Sequence, residues 1–428
     1  MKKVLIIGYP FPLRSGGSPR LLGLAKYLPE FNWQPIVLSA PLDKQPENGL
    51  RIIETKYRDS LHLWRKLLRM KPSDDIRGKV KRRFGVSASR SWLDFLLTRV
   101  GEIVNYPDSE KGWRPFAIKA GDELLKEEAI DAIISTSAPV TAHIVASELK
   151  TKHGIPWLAD LRDLWSQNHN YNYCPARKFF DRRLELKTLT DADVLVTVSA
   201  PWVEKLKILH REKLVIPITN GFDPAELKIP PTGLTAKFTV TYTGLIYPGK
   251  QHTWKFMKAL RELLADGVIS PVDIEVRFYG VQESWLKKES NKYGISSIIK
   301  QYGVIPQQDA LEKQRESQLL LLLDWDDTKE FGVYPGKAFE YLQARRPILG
   351  VGGIKGNVIS KLLNETNAGI PAPNMEDVKN ALRGYYKEYK TSGNVAYSGN
   401  ESQISKYSHY EMAKKFSAIL NRFTQPEI

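Results

Sequence analysis

The sequence predicts an α/β protein with two doubly wound domains that face each other across a cleft, and three observations support this fold class. The chain has 428 residues, which is too long for one ordinary domain and suits two of about 200 residues each. Short apolar runs alternate with helical periodicity in both halves, the pattern of parallel sheets covered by helices on both faces. Between the halves, residues 224–235 contain three prolines and a glycine and are predicted to form the linker.

The pattern of apolar residues in the first half of the chain predicts six strands and five helices. Its first helix, for example, has Leu21, Leu24, Ala25 and Leu28 at helical spacing. A basic insertion at about 56–115 interrupts the alternation. The strands are predicted at 4–7, 34–38, 132–135, 155–160, 194–198 and 213–218, and the helices at 20–28, 117–125, 139–152, 178–190 and 201–209.

The second half repeats the alternation after the linker. Strands are predicted at 238–242, 274–279, 298–302, 319–323 and 347–351, and helices at 252–264, at 284–292, from Pro335 onward and at 408–423. The unit around Pro335 is the most informative, because strand, loop, helix and strand place a polar loop at the carboxyl end of a strand, where open α/β sheets bind ligands. Gly336 and Lys337 at the helix start suit an anion, and Glu340 is placed to accept hydrogen bonds from sugar hydroxyls.

Three further loops follow predicted strands and carry residues suited to phosphate. Gly16 and Gly17 precede the helix at Pro19, and glycines there let backbone amides approach a phosphate closely. Gly244 is followed six residues later by Lys250, a spacing that can cradle a diphosphate. The third is Asn220-Gly-Phe-Asp223. Each of these loops, taken alone, is also compatible with an ordinary turn.

Together, these motifs resemble the retaining nucleotide-sugar glycosyltransferases of the GT-B fold, family 4, in particular those of bacterial cell-surface polysaccharide biosynthesis. The resemblance covers nearly the whole chain outside the insertion. It implies a Rossmann-like acceptor-side domain at 1–224, completed by a C-terminal helix at 408–428, and a Rossmann-like donor-binding domain at 236–407. The matching positions are Asn220–Asp223, Gly244, Lys250, Gly280, the turn Tyr302–Pro306 with Val304 beside the nucleobase, Glu340, and the block 155–165.

Two positions depart from the family pattern. The phosphate-binding Arg of the family falls on Leu245, and the first Glu of its Glu-x7-Glu motif falls on Gly332. Lys337 is expected to replace the lost cation. Glu330, or the backbone around Val333, is expected to bind the sugar in place of the missing carboxylate.

The function predicted from the resemblance is transfer of a hexose from a UDP- or GDP-sugar to a glycan or lipid-linked acceptor. Retention of configuration is implied, without a metal or any other cofactor. Lys250, Lys337 and the helix starts would stabilise the leaving diphosphate, and Glu340 would bind the ribose hydroxyls. Two alternatives stay open: a nucleotide-sugar epimerase or phosphorylase on the same architecture, and a non-catalytic binding protein with a decayed donor site.

Two further segments of the first half and one of the second carry candidate site residues. His143 lies early in a predicted helix and is expected either to orient the sugar or acceptor or to be structural. Asp163, with Asp160 and Arg162, follows a strand and is expected to act at the site rather than only to fix its loop. Asp324-Trp-Asp326 matches a metal-binding Asp-x-Asp pattern, but its surroundings favour a polar loop, so no metal ligand is predicted.

The charge distribution indicates a surface partner. The net charge is +15, and residues 56–90 contain twelve Lys or Arg against three Asp. Interleaved apolar residues there favour an anionic membrane surface, with a solvated helical insertion as the alternative; no motif supports nucleic acid as a partner. The single cysteine, Cys174, and the lack of an apolar run of about 18 residues favour a cytoplasmic protein, peripheral at the inner face of the membrane.

Overall fold

The structure is a computed structural model that describes residues 1–9, 19–42, 49–58, 99, 101–171, 173–228 and 233–424. The chain divides into two compact units. Unit 1 comprises Met1–Ile218 and Ala413–Ile428, and unit 2 comprises Thr219–Met412. The predicted return of the C-terminal helix to the first unit is confirmed. Gly16, Gly17 and most of the basic stretch 56–90 lie outside the described residues.

Within the described part of unit 1, seven parallel strands form one sheet in the order β3-β2-β1-β4-β5-β6-β7. The run Val4–Ile7 is fully buried, as expected for a central strand with helices on both faces. In register, Ile6 lies beside Val37 on one side and Ile134 on the other. The strands are β1 (Lys2–Ile7), β2 (Trp33–Ser39), β3 (Arg51–Glu54), β4 (Ala132–Ser137), β5 (Trp157–Leu161), β6 (Val194–Thr197) and β7 (Val215–Pro217).

The helices of unit 1 agree with the predicted ones within a few residues. One helix begins three residues earlier than predicted, at Pro175, where proline is well suited to a first turn because that turn needs no backbone N–H. The helices are α1 (Pro19–Tyr27), α2 (Arg114–Glu127), α3 (Thr141–His153), α4 (Pro175–Leu189) and α5 (Ala200–Leu209).

Unit 2 contains a second parallel sheet, with six described strands in the order β10-β9-β8-β11-β12-β13. The five leucines of Leu319–Leu323 are fully buried at its centre. The predicted α/β fold class with two doubly wound sheets is therefore confirmed. The strands are β8 (Phe238–Thr243), β9 (Ile274–Tyr279), β10 (Ile299–Gly303), β11 (Leu319–Leu323), β12 (Ile348–Val351) and β13 (Gly369–Ala372).

Several elements of unit 2 have no counterpart in the sequence prediction, chiefly after residue 351. Their helix starts are nevertheless capped by side chains: Asn357 accepts from the Ser360 amide, and Asn374 from the Asp377 amide. The helices are α6 (Trp254–Ala265), α7 (Ser284–Lys292), α8 (Gln307–Arg315), α9 (Gly336–Ala344), α10 (Val358–Thr366), α11 (Met375–Ser392) and α12 (Glu401–Ile404). The last helix, α13 (His409–Phe423), starts in unit 2 and continues from Ala413 in unit 1.

The last helix, α13, is fixed at both ends. At its start, the Phe222 amide donates to the Tyr407 carbonyl and the His409 amide donates to the Phe222 carbonyl, so residues 219–223 belong with unit 2. At its end, the Trp33 indole donates to Asn421 Oδ1 over 3.0 Å. None of the helices in the described ranges combines the length and apolar character needed to cross a membrane.

Candidate active site

The strand order of unit 2 reverses between β8 and β11, which lie side by side although β9 and β10 separate them in sequence. In doubly wound sheets, ligands bind beyond the carboxyl ends of the strands at such a switch point. The loops that leave β8 and β11 occupy this position. They carry Gly244, Lys250 and the start of α9, so the topology brings together residues that the sequence predicted for the site.

Direct hydrogen bonds hold the two loops together. The Asp326 amide donates to the Lys250 carbonyl over 2.9 Å, and the Gln251 side chain donates to the Leu323 carbonyl over 2.7 Å. The Lys250 ammonium lies 3.2 Å from Asp327 Oδ2. Lys250 is therefore positioned by the neighbouring loop and also carries a counter-ion that an incoming anion would have to replace.

Two glycines allow the backbone at this edge to approach closely. Gly244 has φ +101° and Gly280 has φ +153°, which are conformations that other residues rarely adopt. A Cβ on Gly280 would lie 2.3 Å from the Gly244 carbonyl oxygen, so a side chain at this position would displace the loop after β8. Both positions were predicted from the sequence, and both have a structural reason to be glycine.

Lys337, in the first turn of α9, reaches back to the loop after β8. Its ammonium donates to the Tyr242 hydroxyl and, over 3.1 Å, to the Leu245 carbonyl; it also lies 3.9 Å from the centre of the Tyr242 ring. Removal from water lowers the pKa of Lys337 to about 7, an effect that Glu340 partly offsets. The cation thus lies next to the backbone of Leu245, the position where the family pattern has an arginine.

Glu340 lies one turn further along α9 and is held by α8. Gln314 donates to Glu340 Oε2 over 3.2 Å and to the Thr243 hydroxyl over 2.9 Å, and Gln314 itself is fully buried. Burial raises the pKa of Glu340, while Gln314 and Lys337 act in the opposite direction. The carboxylate is therefore fixed in place next to the end of β8.

Glu330 supports its own loop. Its Oε1 accepts the Gly332 amide over 3.1 Å, and the residue is 5% exposed. This contact favours a role in shaping the backbone that leads to α9. The expectation that Glu330 or the Val333 backbone serves a sugar stays a prediction.

Apolar side chains at the same edge are unusually exposed. Val304 is 77% exposed, Leu245 53% and Val281 52%, and each follows a different strand of the sheet. The Tyr279 and Tyr302 rings stack with centroids 4.8 Å apart at 12°. An exposed apolar rim beside a few fixed polar groups is typical of a ligand site.

The Asp324-Trp-Asp326 segment has protein partners in the described structure. Asp324 accepts from the Asn357 side chain over 2.7 Å, and burial raises its pKa to about 6. Asp326 forms an ion pair with Lys255 at 2.8 Å. These contacts fit the prediction of a polar loop.

The corresponding edge of unit 1 has different chemistry. Arg20 and Asp160 form a bidentate ion pair with distances of 2.9 and 2.7 Å, and both residues are almost completely buried. Arg20 also donates to the Ile218 carbonyl over 2.9 Å, and Thr136 donates to Asp160 over 3.0 Å. Asp160 therefore pairs with α1 and not with the neighbouring Arg162, which donates to the Ala138 carbonyl over 2.9 Å.

His143 and Asp163 lie at the same end of unit 1. His143 is fully buried, its Nδ1 lies 2.7 Å from the Ser135 hydroxyl, and burial lowers its pKa to about 4. The imidazole is therefore neutral at physiological pH. Asp163 is half-buried, and its carbonyl accepts from Ser137 over 3.3 Å. A catalytic role for either residue stays a prediction.

Two residues of this site were missed at the sequence level. Tyr242 reads as an ordinary strand aromatic, and Gln314 lies in a polar helical segment that carries no motif. Only the register of β8 and the packing of α8 show that these side chains contact Lys337 and Glu340.

No protein-family model matches the sequence, and a comparison with curated proteins finds no significant match. Solved structures do match over the full length. HepE of Anabaena in complex with UDP and glucose has a TM-score of 0.60 at 12% identity, covering 99% of this chain and 100% of that chain. The lipopolysaccharide outer core galactosyltransferase WaaB has a TM-score of 0.56 at 14% identity, with coverages of 98% and 99%.

A third match is a protein from Listeria monocytogenes assigned as a UDP-N-acetylglucosamine 2-epimerase, with a TM-score of 0.50 at 12% identity and coverages of 100% and 98%. At these identities, the similarities establish the fold. The chain has the two-domain α/β fold of the GT-B glycosyltransferases.

Proposed function

We propose that this protein is a nucleotide-sugar glycosyltransferase of the family 4 type, which transfers a hexose from a UDP- or GDP-sugar to a glycan or lipid-linked acceptor. The observation that carries the proposal is the arrangement at the β8–β11 switch point. There, Lys337 donates to the Leu245 carbonyl of the Gly244–Lys250 loop. Glu340, from the same helix start, is held by Gln314, which also donates to Thr243 at the end of β8.

The leaving diphosphate is the group that this arrangement suits best. Negative charge develops on it as the glycosidic bond breaks, and fixed cations and amides that face this charge lower the barrier. Lys337 and Lys250 supply the cations, and the first amides of α9 have no partner within the helix. Gly244 and Gly280 keep the approach free of side chains.

Glu340 is assigned to the ribose hydroxyls. A carboxylate accepts hydrogen bonds and cannot donate them, which suits a pair of hydroxyl donors. Gln314 occupies one oxygen and fixes its direction. The exposed Val304 and Val281 then provide an apolar surface for the nucleobase.

Retention of configuration and independence from metal are parts of the proposal taken from the family resemblance. The ion pair between Asp326 and Lys255 supports metal independence, since this carboxylate already has a cationic partner. The UDP and glucose bound by HepE, which has the same fold, support the donor class. Activity at the cytoplasmic face of a membrane belongs to the same proposal.

Calorimetric titration with UDP and with GDP tests the donor site directly. We expect one of them to bind with micromolar affinity and Lys250→Ala to weaken that binding. Failure of both nucleotides to bind wild-type protein would contradict the proposal and favour a decayed donor site.

The epimerase alternative is kept because a protein of that assignment shares the fold. Incubation of the protein with a UDP-sugar and no acceptor separates the two activities. A glycosyltransferase leaves the sugar configuration of the donor unchanged, whereas accumulation of an epimerised nucleotide sugar would overturn the proposed transfer.

A further inference from the structure

The outer face of α4, in unit 1, combines exposed rings with positive charge. Phe179 and Phe180 are 54% and 56% exposed, and their rings meet edge-on with centroids 5.6 Å apart. Every residue of α4 is described, and its exposed charged side chains are all cationic: Lys178, Arg182, Arg183 and Lys187.

The acidic residues of α4 are turned inward. Asp181 is 2% exposed and accepts from Arg177 over 2.9 Å and from the Tyr171 hydroxyl over 2.5 Å. Glu185 is fully buried and accepts the Ser166 amide over 3.0 Å. The two signs of charge are thus segregated, because the carboxylates are hydrogen-bonded inside the unit and the exposed cations face outward.

A neighbouring segment extends this face. The Arg177 guanidinium donates to the Pro107 carbonyl over 2.5 Å and also to the Glu102 carbonyl, and the Tyr106 hydroxyl donates to the Phe180 carbonyl over 3.2 Å. Residues 101–107 are therefore fixed against α4. This segment includes Ile103, whose side chain is 74% exposed.

The rings are held in place by the cations beneath and beside them. The Tyr173 ring, 47% exposed, lies 4.7 Å from Arg177, and the Phe179 ring lies 4.9 Å from Arg183. Ordering these side chains on binding therefore costs little additional entropy. We call this set the α4 surface: Ile103, Tyr173, Lys178, Phe179, Phe180, Arg182, Arg183 and Lys187.

We propose that the α4 surface docks onto a lipid bilayer that contains anionic headgroups. A helix with basic residues on its outer face and exposed Phe beside an aliphatic side chain matches the interfacial region of a membrane, where rings enter the headgroup layer and cations meet phosphates. The proposal does not depend on the donor site in unit 2.

Two other occupants fit the surface less well. Nucleic acid stacks its bases on open aromatic faces, whereas Phe179 and Phe180 pack against each other and Ile103 offers no ring. The second occupant considered is the segment 59–98 of the same chain. It contains ten Lys or Arg and four Asp, so its net positive charge would be repelled by the α4 surface.

Co-sedimentation of the full chain with vesicles tests the proposal. We expect binding to vesicles of phosphatidylcholine with 30% phosphatidylglycerol in 0.1 M salt and little binding to pure phosphatidylcholine. Binding should be at least tenfold weaker in 0.5 M salt. Each cation near an anionic bilayer is expected to strengthen binding about fivefold. The pair Arg182→Glu and Arg183→Glu should weaken binding by roughly 25-fold or more. The pair Phe179→Ser and Phe180→Ser should weaken it about tenfold.

A matched control is available on α7 of unit 2, where Lys287 and Lys288 are also exposed. The pair Lys287→Glu and Lys288→Glu makes the same change in net charge and should leave vesicle binding within twofold of wild type. Far-ultraviolet circular dichroism of each variant reports folding.

Three results would overturn the proposal. One is equal loss of binding in the α7 control, which would show a general effect of net charge. The second is full binding by both α4 variants, which would assign the contact to another surface such as residues 56–90. The third is displacement of wild-type protein from vesicles by equimolar duplex DNA or RNA.

Discussion

The first six strands have the same order in both sheets, but the edge formed by their carboxyl ends carries different residues in the two units. In unit 2, the edge at the switch point between β8 and β11 carries the half-buried Lys337, the carboxylate of Glu340, which Gln314 holds, and two glycines at positive φ, Gly244 and Gly280. In the described part of unit 1, the equivalent edge between β1 and β4 is dominated by the buried pair of Arg20 and Asp160 and by a neutral His143. Topology therefore selects where a site can form, while a few loop residues decide its chemistry.

The largest expected effect is a loss of stability when the ion pair between Arg20 and Asp160 in unit 1 is broken. Arg20→Ala leaves Asp160 buried without its cation and should lower the free energy of unfolding by about 3–5 kcal/mol. Urea unfolding measures this loss. Arg114→Ala, which removes a largely exposed ion pair with Glu148, is the matched control and should cost less than about 1 kcal/mol.

Nucleotide binding to Arg20→Ala sharpens the same comparison. If unit 2 alone holds the donor, UDP or GDP should bind this variant as tightly as wild type at a temperature where it stays folded. A stable variant that no longer binds nucleotide would show that the edge in unit 1 is also part of the donor site.

The next effect concerns the cation on the loop after β8. Lys250→Ala should lower kcat/KM for sugar transfer by about 100-fold, because a fixed donor to the leaving diphosphate is lost. Lys250→Arg should retain more activity than the alanine variant. Lys287 is exposed on α7, and Lys287→Ala should leave kcat/KM unchanged. Unchanged kinetics in Lys250→Ala would remove this lysine from the site.

Gly280→Ala tests the close approach of the two backbones. The added Cβ meets the Gly244 carbonyl, so we expect a loss of about 1–3 kcal/mol in stability together with weaker nucleotide binding. Gly267 has φ +69° and open space around its Cβ, so Gly267→Ala is a control for an ordinary left-handed glycine and should lose less stability, with no change in nucleotide binding. Wild-type nucleotide binding by Gly280→Ala would show that the close approach to Gly244 does not support the site.

The last effect is a pH dependence of nucleotide affinity, which is expected from Lys337 in unit 2. With a pKa of about 7, free Lys337 is mostly charged below pH 7 and mostly neutral above it. A bound diphosphate favours the charged form, so between pH 7 and pH 9 affinity should fall as the pH rises, by at most about tenfold per unit. Calorimetry at pH 8 in buffers of different ionisation enthalpy should show proton uptake on binding.

Lys337→Arg is the control for this titration, because an arginine stays charged throughout the range. The variant should bind nucleotide without proton uptake and without the decline in affinity. Proton uptake that persists in the arginine variant would assign the titration to another group.

Much of unit 2 could be predicted because local signals agreed with the fold. The run Leu319–Leu323 and the proline before α9 are strong signals of a buried strand and a helix start. Residues 352–407 carry no predicted element, because β13 is a short edge strand and the side-chain caps at Asn357 and Asn374 are local features without a long apolar run. Asp160 was expected to act at a site, and its pairing with Arg20 from a distant helix has no sequence signal.

By itself, the sequence determined the α/β class, the alternation of strands and helices, and the positions of Gly244, Lys250, Lys337 and Glu340 at strand ends and a helix start. These properties follow from periodicity and from residue types that act within a few positions along the chain. The tertiary structure alone decided which loops meet, that Gln314 and Tyr242 hold the site residues, and that the anions of α4 face inward. Those outcomes depend on strand order and on packing between segments far apart in sequence, which no local pattern encodes.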